Sequence, residues 1–465
     1  MENIREIALD TLLALEKDGG LSHKIIHNVL DKYDYLDPRD KKYLKRLTEG
    51  TLERRLELDY YLDHFSSVPV RKMKPLIRNL LRMSAYQLLY MDSVPDSAVC
   101  NEACKLAEKR KFHSLKGFVN GVLRKIAREK ENLPMPDPKS QPMEFLCVKY
   151  SMPELITREW ISEYGPELTE TMLQGLLEVH PVSLRVREGV TNGERETIRE
   201  SLLKRGILLE KSECDENVFL ARDLDGLEDL REFGEGLLTV QDVSSVLAVK
   251  MAGIRKGDLV IDACAAPGGK SILASELAGD EGRVICGDVS DKKTLIMQEN
   301  VERMGRKNVE IRTWDARTPE PDLLGKADVL LLDVPCSGLG VMGKKRDVKY
   351  HASEEGYAQV EALQKEILAS AWQYLKPGGI LLYSTCTIRE GENRDAAEWI
   401  LGHLPMEPVS LAGELPDGVK GAVAKEKSAR KGKAKTWEDC CVQLLPGLLS
   451  ADGFFFAKFR RKTDA

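Results

Sequence analysis

The 465-residue sequence has no uninterrupted apolar run near the roughly 18 residues that a membrane-spanning helix needs, so we expect no membrane-embedded segment. It also has no large excess of one charge, because 69 Lys and Arg stand against 75 Asp and Glu. This near balance excludes a uniformly basic nucleic-acid coat protein. The N-terminal residues have mixed charge rather than a basic stretch followed by an apolar one, and we therefore predict no secretory signal.

Cysteine is sparse as well. Ten cysteines are too few for a disulfide framework in a chain of this length, and none stands in a Cys-x-x-Cys pair. The sequence therefore predicts a reducing cytoplasm as the compartment and no metal site. Cys264 could join two later cysteines around a metal, but paired ligand spacing and a nearby histidine are both missing.

The near-neutral sum hides an uneven distribution of charge. Residues 41–130 carry 20 Lys and Arg against 10 Asp and Glu, so the remainder of the chain is acidic. Within that segment, residues 71–82 contain five cations and no acidic residue. A solvated helix surface is the simplest interpretation of such runs, but their concentration in one part of an otherwise acidic protein favours a polyanion-binding face.

Three segments of different pattern predict three domains. Residues 1–131 repeat apolar side chains at helical spacing, which indicates a helical bundle. Residues 132–142 contain four prolines and are typical of a linker. Residues 145–240 mix helical and β-like runs and predict a small α+β module, and residues 241–465 form the third domain.

Short apolar strands alternate with helical stretches from residue 257 onward, which is the pattern of a parallel βαβ sheet. The predicted strands are 259–261, 283–286, 309–312, 327–332 and 379–383. Two further apolar runs, 440–445 and 454–459, are joined by a short loop and predict an antiparallel pair. The predicted fold class is an all-α N-terminal bundle plus an α/β domain, with a doubly wound, Rossmann-like sheet that ends in an antiparallel C-terminal strand pair.

Glycines and acidic residues follow the predicted strands. The first strand leads into Asp262-Ala-Cys-Ala-Ala-Pro-Gly-Gly-Lys270, where glycines let the backbone approach a ligand at the edge of the sheet. Asp288, Asp315 and Asp333 end the next three strands. One such aspartate is usually a turn or helix cap, but four in register fit a ligand with adenosine hydroxyls and an amine.

Cys336 and Cys386 follow the fourth and fifth predicted strands. Because these strands are neighbours in a doubly wound sheet, we expect both thiols in one crevice. A buried cysteine is usually an inert, small apolar residue. The position of both residues at strand ends, beside Gly, Ser and Thr turns and an aspartate, favours reactive thiols instead.

Three motifs in this order resemble those of the S-adenosylmethionine-dependent RNA cytosine 5-methyltransferases: Asp-Ala-Cys-Ala-Ala-Pro-Gly-Gly-Lys (262–270), Asp-x-Pro-Cys-Ser-Gly-x-Gly (333–340) and Ser-Thr-Cys-Thr (384–387). The C-terminal Asp452-Gly-Phe-Phe-Phe-Ala also fits. Residues 94–103 and 118–124 are similar to the NusB-like helical domain of one branch, the bacterial Sun/Fmu type (RsmB) small-subunit rRNA methyltransferases.

This resemblance implies transfer of a methyl group from S-adenosyl-L-methionine to carbon 5 of a specific cytosine in 16S rRNA, through a covalent cysteine–cytosine adduct. It implies that Cys386 is the nucleophile, that Cys336 assists release by acid/base transfer, and that Asp333 and Lys270 reach the target base. The implied cofactor-binding residues are Cys264, Ala265, Ala266, Pro267, Gly268, Gly269, Lys270, Asp288, Asp315 and Asp333.

The resemblance also assigns roles to the predicted domains. Residues 1–131 become a NusB-like RNA-binding domain, residues 145–240 a connecting or RNA-binding module, and residues 241–465 the methyltransferase catalytic domain. The implied partner is 16S rRNA or an early small-subunit particle, and we expect a monomer.

Three features depart from the family pattern: Val334 stands where alanine is common, Arg394 stands where an acid is usual, and residues 420–435 form an unusual insertion. The insertion carries seven cations and one acidic residue, and a disordered surface loop is favoured over an RNA contact.

Other functions remain as alternatives. A non-catalytic RNA-binding protein with a degenerate methyltransferase body is disfavoured because Cys336 and Cys386 are both intact. Methylation of an exocyclic amine is disfavoured because residues 333–336 read Asp-Val-Pro-Cys rather than Asn/Asp-Pro-Pro-aromatic. A dinucleotide dehydrogenase is disfavoured because no Gly-x-Gly-x-x-Gly follows the first strand.

Overall fold

The computed structural model describes residues 3–18, 22–178, 181–222, 224, 226–432 and 435–463. The chain divides into two compact units. The first comprises Met1–Ser162 and Lys344–Ala352, and the second comprises Glu163–Gly343 and Ser353–Ala465. This division differs from the three predicted domains 1–131, 145–240 and 241–465, which stay a prediction.

The first unit is helical. Its helices are α1 (Ile4–Asp18), α2 (Ser22–Lys32), α3 (Pro38–Glu53), α4 (Arg55–Phe65), α5 (Pro75–Tyr90), α6 (Asp96–Lys109), α7 (Lys116–Glu129) and α8 (Pro142–Lys149), followed by the start of α9 (Glu154–Leu177). The α5 helix is the most deeply buried, with Leu80, Leu81 and Ala85 fully shielded from solvent. Proline at its first turn and good helix formers behind it explain why the helix begins at Pro75. None of the described helices is both long and apolar enough to cross a lipid bilayer.

Residues 344–352 belong to this helical unit although they lie far along the chain. Arg346 Nε donates to Glu53 Oε1 over 2.8 Å, and Lys349 Nζ donates to the Glu53 carbonyl oxygen over 2.8 Å. The backbone N–H of Ser22 donates to Asp347 Oδ2 over 2.7 Å. Lys349 is buried, and this burial lowers the pKa of its ammonium group to about 7.

The second unit begins with a small α+β region. Its elements are β1 (Val182–Val186), α10 (Asn192–Lys204), β2 (Leu208–Lys211), β3 (Val218–Arg222), α11 (Arg231–Gly234) and β4 (Leu238–Val240). The strands form a four-stranded antiparallel sheet in the order β2-β3-β1-β4. Leu184, Val186 and Phe219 are buried in its core. The α10 helix starts at a capping box in which Thr191 and Glu194 exchange hydrogen bonds.

The large sheet follows, with helices between its strands. Its elements are α12 (Val243–Met251), β5 (Leu259–Asp262), α13 (Gly269–Ala278), β6 (Arg283–Asp288), α14 (Asp291–Arg303), β7 (Val309–Thr313), β8 (Ala327–Asp333), α15 (Glu354–Ala371), β9 (Leu375–Thr385), α16 (Arg394–His403), β10 (Met406–Pro408), α17 (Asp417–Ala429), β11 (Cys441–Leu444) and β12 (Phe454–Arg461). The strand order is β10-β12-β9-β8-β5-β6-β7, with β11 paired to β12. Strands β5 to β9 run parallel, and β12 is antiparallel to β9, β10 and β11. The predicted fold class, including the antiparallel C-terminal pair, is confirmed.

The prediction of a disordered loop over residues 420–435 is wrong for most of its length, because α17 covers Asp417–Ala429. Val419, Val423 and Glu426 recur at helical spacing and are buried, so the helix has an inward face that the many cations conceal in the sequence. Glu426 accepts a hydrogen bond from Arg394 Nη2 over 2.7 Å. Two features that depart from the family pattern are therefore linked, because Glu426 in the insertion compensates the buried positive charge of Arg394. Residues 433 and 434 lie outside the described residues.

Candidate active site

The carboxyl ends of the parallel strands bring the predicted site residues to one edge of the large sheet. Asp262, Asp288 and Asp333 are the last residues of β5, β6 and β8, as predicted. Asp315 lies two residues beyond the end of β7 rather than in the strand. Cys386 follows β9 directly.

Cys336 and Cys386 are brought together. Strands β8 and β9 pair so that Asp333 lies opposite Ser384, and each cysteine follows within three residues. The two sulfur atoms are 3.1 Å apart, and both thiols are half-buried. The prediction that the two thiols lie together is confirmed by this distance.

Backbone hydrogen bonds fix the loops that carry the thiols. Gly340 N donates to the Cys386 carbonyl oxygen over 3.0 Å, and Gly453 N donates to the Gly340 carbonyl oxygen over 3.0 Å. A Cβ atom on Gly340 would lie 1.8 Å from the Gly453 carbonyl oxygen, so only glycine fits at position 340. The loops after β8 and β9 and the turn before β12 are thus tied to one another.

The surroundings of the Cys336 thiol favour its protonated form. The hydrogen bond with Cys386 and then burial raise the pKa of Cys336 well above its usual range, and the nearby carboxylates of Glu392 and Asp333 add to this rise. Cys336 is therefore a protonated thiol near neutral pH.

Lys270 and Asp333 form an ion pair in the same crevice. Lys270 Nζ donates to Asp333 Oδ2 over 2.7 Å, and Ser384 Oγ donates to Asp333 Oδ1 over 2.8 Å. Burial acts to lower the pKa of Lys270, but the adjacent Asp333 outweighs it and the pKa is raised. The ammonium group also lies 5.3 Å from the centre of the Phe454 ring. The Lys270 cation is therefore held next to a carboxylate that accepts two hydrogen bonds.

The glycine-rich turn joins β5 to α13. Gly268 has a φ of 100°, a left-handed conformation that favours glycine, and α13 begins at the next residue. Ser271 Oγ donates to Asp262 Oδ2 over 2.7 Å, and burial raises the pKa of Asp262 to about 7. Burial also raises the pKa of the neighbouring Cys264 thiol.

The other two predicted cofactor carboxylates differ in burial. Asp288 is buried, and its oxygens accept hydrogen bonds from the backbone N–H groups of Ala266 and Val289 and from Lys293 Nζ. Asp315 is partly exposed and is bonded by Arg317, which lowers the pKa of this carboxyl. Within the described ranges, no three His, Cys, Asp or Glu side chains are grouped so that they could hold a metal ion.

Comparison with known proteins extends these observations over the whole chain. Residues 250–460 match the family model for the 16S rRNA methyltransferase RsmB/F, and residues 2–128 match the model for the NusB family. The chain is 33% identical over 464 residues to the probable ribosomal RNA small subunit methyltransferase B of Bacillus subtilis, covering 99% of each protein. The chain belongs to the ribosomal RNA small subunit methyltransferase B family.

A second curated relative is similar over the whole chain, and two solved structures share its fold. The ribosomal RNA small subunit methyltransferase B of Proteus mirabilis is 30% identical over 461 residues and is covered to 99%. The crystal structure of PH0851 shares the fold across 99% of both chains, with a TM-score of 0.77 and 24% identity. The structure of NSun6 from Pyrococcus horikoshii with SFG covers 66% of this chain and 98% of its own, with a TM-score of 0.56 and 20% identity.

Three buried residues that the sequence did not predict contact the turns of the two cysteines. Glu392 and Gln364 contact the residues beside Cys336, and Asn393 contacts the residues beside Cys386. Gln364 lies in α15, far from either cysteine in the sequence, and carries no local signal. Glu392 and Asn393 follow Cys386 by only six and seven residues. This short separation in the sequence is the one feature that could have pointed to them.

Proposed function

We propose that the protein transfers a methyl group from S-adenosyl-L-methionine to carbon 5 of a cytosine in 16S rRNA through a covalent adduct between Cys386 and the base. The observation that carries this proposal is the pair of thiols 3.1 Å apart beside the Lys270–Asp333 ion pair. The relatives named as small subunit rRNA methyltransferases support the class of substrate.

The chemistry explains why two thiols are needed. Carbon 5 of cytosine is a weak nucleophile, so a thiolate of Cys386 first forms a bond to carbon 6 and moves the electrons of the 5,6 double bond toward carbon 5. Once carbon 5 carries the methyl group, loss of its proton and cleavage of the S–C6 bond restore the ring and the thiolate. Cys336, whose sulfur lies 3.1 Å from that of Cys386, is placed to exchange a proton in this release step.

Asp333 and Lys270 would act on the ring. A carboxyl group at nitrogen 3 of the base stabilises the electrons that the adduct places on the ring. Asp333 is held by Lys270 Nζ and Ser384 Oγ, which orient its carboxyl group beside the thiols. Lys270 contributes a positive charge at the point where the adduct gains negative charge.

The residues at the edge of the sheet fit a cationic methyl donor that carries ribose hydroxyls. Gly268 and Gly269 leave the start of α13 without side chains, and Asp288 supplies carboxylate oxygens at the end of β6. Cys264 to Lys270, Asp288 and Asp315 would hold the donor, and Asp333 would contact both the donor and the base. When bound, S-adenosyl-L-methionine supplies an electrophilic methyl group. The SFG in the structure of NSun6 from Pyrococcus horikoshii, which shares the fold, agrees with a ligand of this kind.

The test uses the full chain, isotopically labelled S-adenosylmethionine and undermodified 16S rRNA, either free or in a small-subunit particle. We expect label in 5-methylcytosine, loss of transfer and of adduct in Cys386→Ser, and a denaturant-stable protein–RNA adduct in Cys336→Ser. Label in an exocyclic amine would refute the proposal, and so would normal binding of S-adenosylmethionine without methyl transfer to cytosine. The reverse behaviour of the two variants would exchange the roles of the thiols.

A further inference from the structure

A two-residue segment, Glu392–Asn393, lies between β9 and α16 and contacts the turns of both cysteines. Glu392 and Asn393 are both fully buried. Each residue bonds to a different turn, so one short segment holds both thiols.

The Cys336 turn is held on both sides of the cysteine. Ser337 N donates to Glu392 Oε2 over 2.8 Å. Gln364 Nε2 donates to the Pro335 carbonyl oxygen over 2.9 Å and to Glu392 Oε2 over 3.1 Å. The residues before and after Cys336 are therefore fixed by one carboxylate and one carboxamide.

The Cys386 turn is held in the same way, but by a neutral group. Thr385 Oγ1 donates to Asn393 Oδ1 over 2.6 Å, and Asn393 Nδ2 donates to the Thr387 carbonyl oxygen over 3.1 Å. Asn393 Nδ2 also donates to Gln443 Oε1 over 2.8 Å, which fixes the orientation of the carboxamide.

The difference between the two turns is therefore one of charge. The carboxylate beside Cys336 accepts two N–H donors, and its other oxygen lies 3.8 Å from Arg389 Nη1. Burial raises the pKa of Glu392, while the hydrogen bonds from Ser337 act in the opposite direction. The hydrogen bond with Cys386, burial and the charge of Cys386 raise the pKa of Cys336 most, and the carboxylates of Glu392 and Asp333 add to this rise.

We propose that Glu392 and Asn393 are positioning residues that set unequal roles for the two thiols. Glu392 keeps negative charge beside Cys336, which therefore holds its proton while Cys386 attacks. Asn393 adds no charge beside Cys386, and the ammonium group of Lys270, which interacts with Cys386 by charge, favours the thiolate that attacks. The roles rest on the proposed function, but the unequal protonation of the thiols requires neither RNA nor methyl donor.

The experiment measures alkylation of one thiol at a time against pH, with iodoacetamide as the probe and peptide mass spectrometry as the readout. In the full chain carrying Cys386→Ser, Glu392→Gln keeps the acceptor for Ser337 N and removes the charge. We expect the alkylation midpoint of Cys336 to fall by about one to three pH units, the effect of one charge about 12 to 4 Å away at an effective dielectric constant near 20.

Asn393→Asp supplies the opposite change and remains informative if Glu392→Gln fails to fold. In the full chain carrying Cys336→Ser, it should raise the alkylation midpoint of Cys386 by a similar amount. Glu398→Gln is the matched control, because Glu398 lies in α16 with an exposed carboxylate paired to Lys435, and it should leave both midpoints unchanged.

Gln364→Met separates geometry from charge. It removes the hydrogen bonds to Pro335 and Glu392 without removing a charge, so it should slow release of the RNA adduct and leave the Cys336 midpoint in place. Equal shifts in Gln364→Met and Glu392→Gln, or no shift in Glu392→Gln, would overturn the inference. Shifts as expected in a protein that transfers no methyl group would refute the proposed function alone.

Discussion

Arg394 and Glu426 form a buried ion pair in which Nη2 donates to Oε1 over 2.7 Å. The pair joins the start of α16, directly after the Glu392–Asn393 segment, to the last turn of α17. Glu426 also lies 3.6 Å from Arg430 Nε, and Arg430 pairs in turn with Glu438. The inserted helix is therefore anchored by charge to the element that supports both thiols.

Removing one partner of this pair should be costly. We expect Arg394→Met to lower the free energy of unfolding by about 3 kcal/mol, because Glu426 would remain buried with fewer compensating charges. Chemical denaturation, followed by tryptophan fluorescence, measures this change. Glu398→Gln breaks the exposed pair with Lys435 and should cost under about 1 kcal/mol. An equal effect of the two substitutions would show that Arg394 contributes no more than a surface ion pair.

The rate of adduct formation should depend on Lys270. In a Cys336→Ser background, Lys270→Met should slow single-turnover formation of the adduct about 10²- to 10³-fold, since a preorganised charge beside the reacting ring is lost. Ser384→Ala removes only a neutral hydrogen-bond donor to Asp333 and should slow adduct formation about tenfold. RNA affinity, measured by filter binding, should stay constant in both. Formation at the unsubstituted rate in Lys270→Met would exclude a role for this cation.

Salt dependence should separate unpaired cations from paired ones in the basic segment. Arg71 and Lys72 are exposed and have no carboxylate partner among the described residues, whereas Lys109 and Lys116 pair with Glu6 and Glu108. Replacing the first two by glutamine should reduce the slope of log Kd against log salt by about 0.7 for each RNA phosphate that is no longer neutralised.

The matched control is the double substitution Lys109→Gln and Lys116→Gln, which should change that slope less. Equal slopes in both double variants would mean that the RNA does not contact the segment around Arg71.

Stability should change with pH through Asp262. Burial raises the pKa of this carboxyl to about 7, so the folded protein binds the proton more tightly than the unfolded chain does. The stabilising contribution is complete below about pH 4 and is lost as the pH rises through 7. Asp262→Asn should therefore gain thermal stability relative to the unsubstituted protein between about pH 5 and pH 8. The control is Asp280→Asn, which changes a fully exposed carboxylate and should differ from the unsubstituted protein in thermal stability by the same amount at every pH. A difference that is equally independent of pH in Asp262→Asn would contradict the prediction.

The sequence predicted those parts of the site that follow from strand order. Cys336 and Cys386 follow successive strands of a parallel sheet, and neighbouring strand ends must converge, so their proximity needed no side-chain detail. Asp288 and Asp333 were predicted for the same reason. Asp315 lies beyond its strand because the end of a strand is set by the local turn, which periodicity does not define.

Interactions between distant residues were not predictable in this way. Lys349 donates to the backbone of Glu53, and residues 344–352 join the helical unit through such bonds, which leave no periodic pattern in the sequence. The α17 helix was concealed because its many lysines dominate the composition, while Val419 and Val423 form a narrow inward face. The bond from Gln364 to Pro335 likewise depends on packing between elements.

The close approach of Gly340 and Gly453 also has a consequence for the order in which the protein is made. Gly453 immediately precedes β12, the strand between β9 and β10, and it bonds to the loop that reaches Cys386. A ribosome synthesises the chain from its N-terminus, so both cysteines emerge long before this glycine does. The loops that carry the thiols are consequently tied together only after residue 453 has been synthesised, and a nascent chain stalled before that residue would carry both cysteines without this contact.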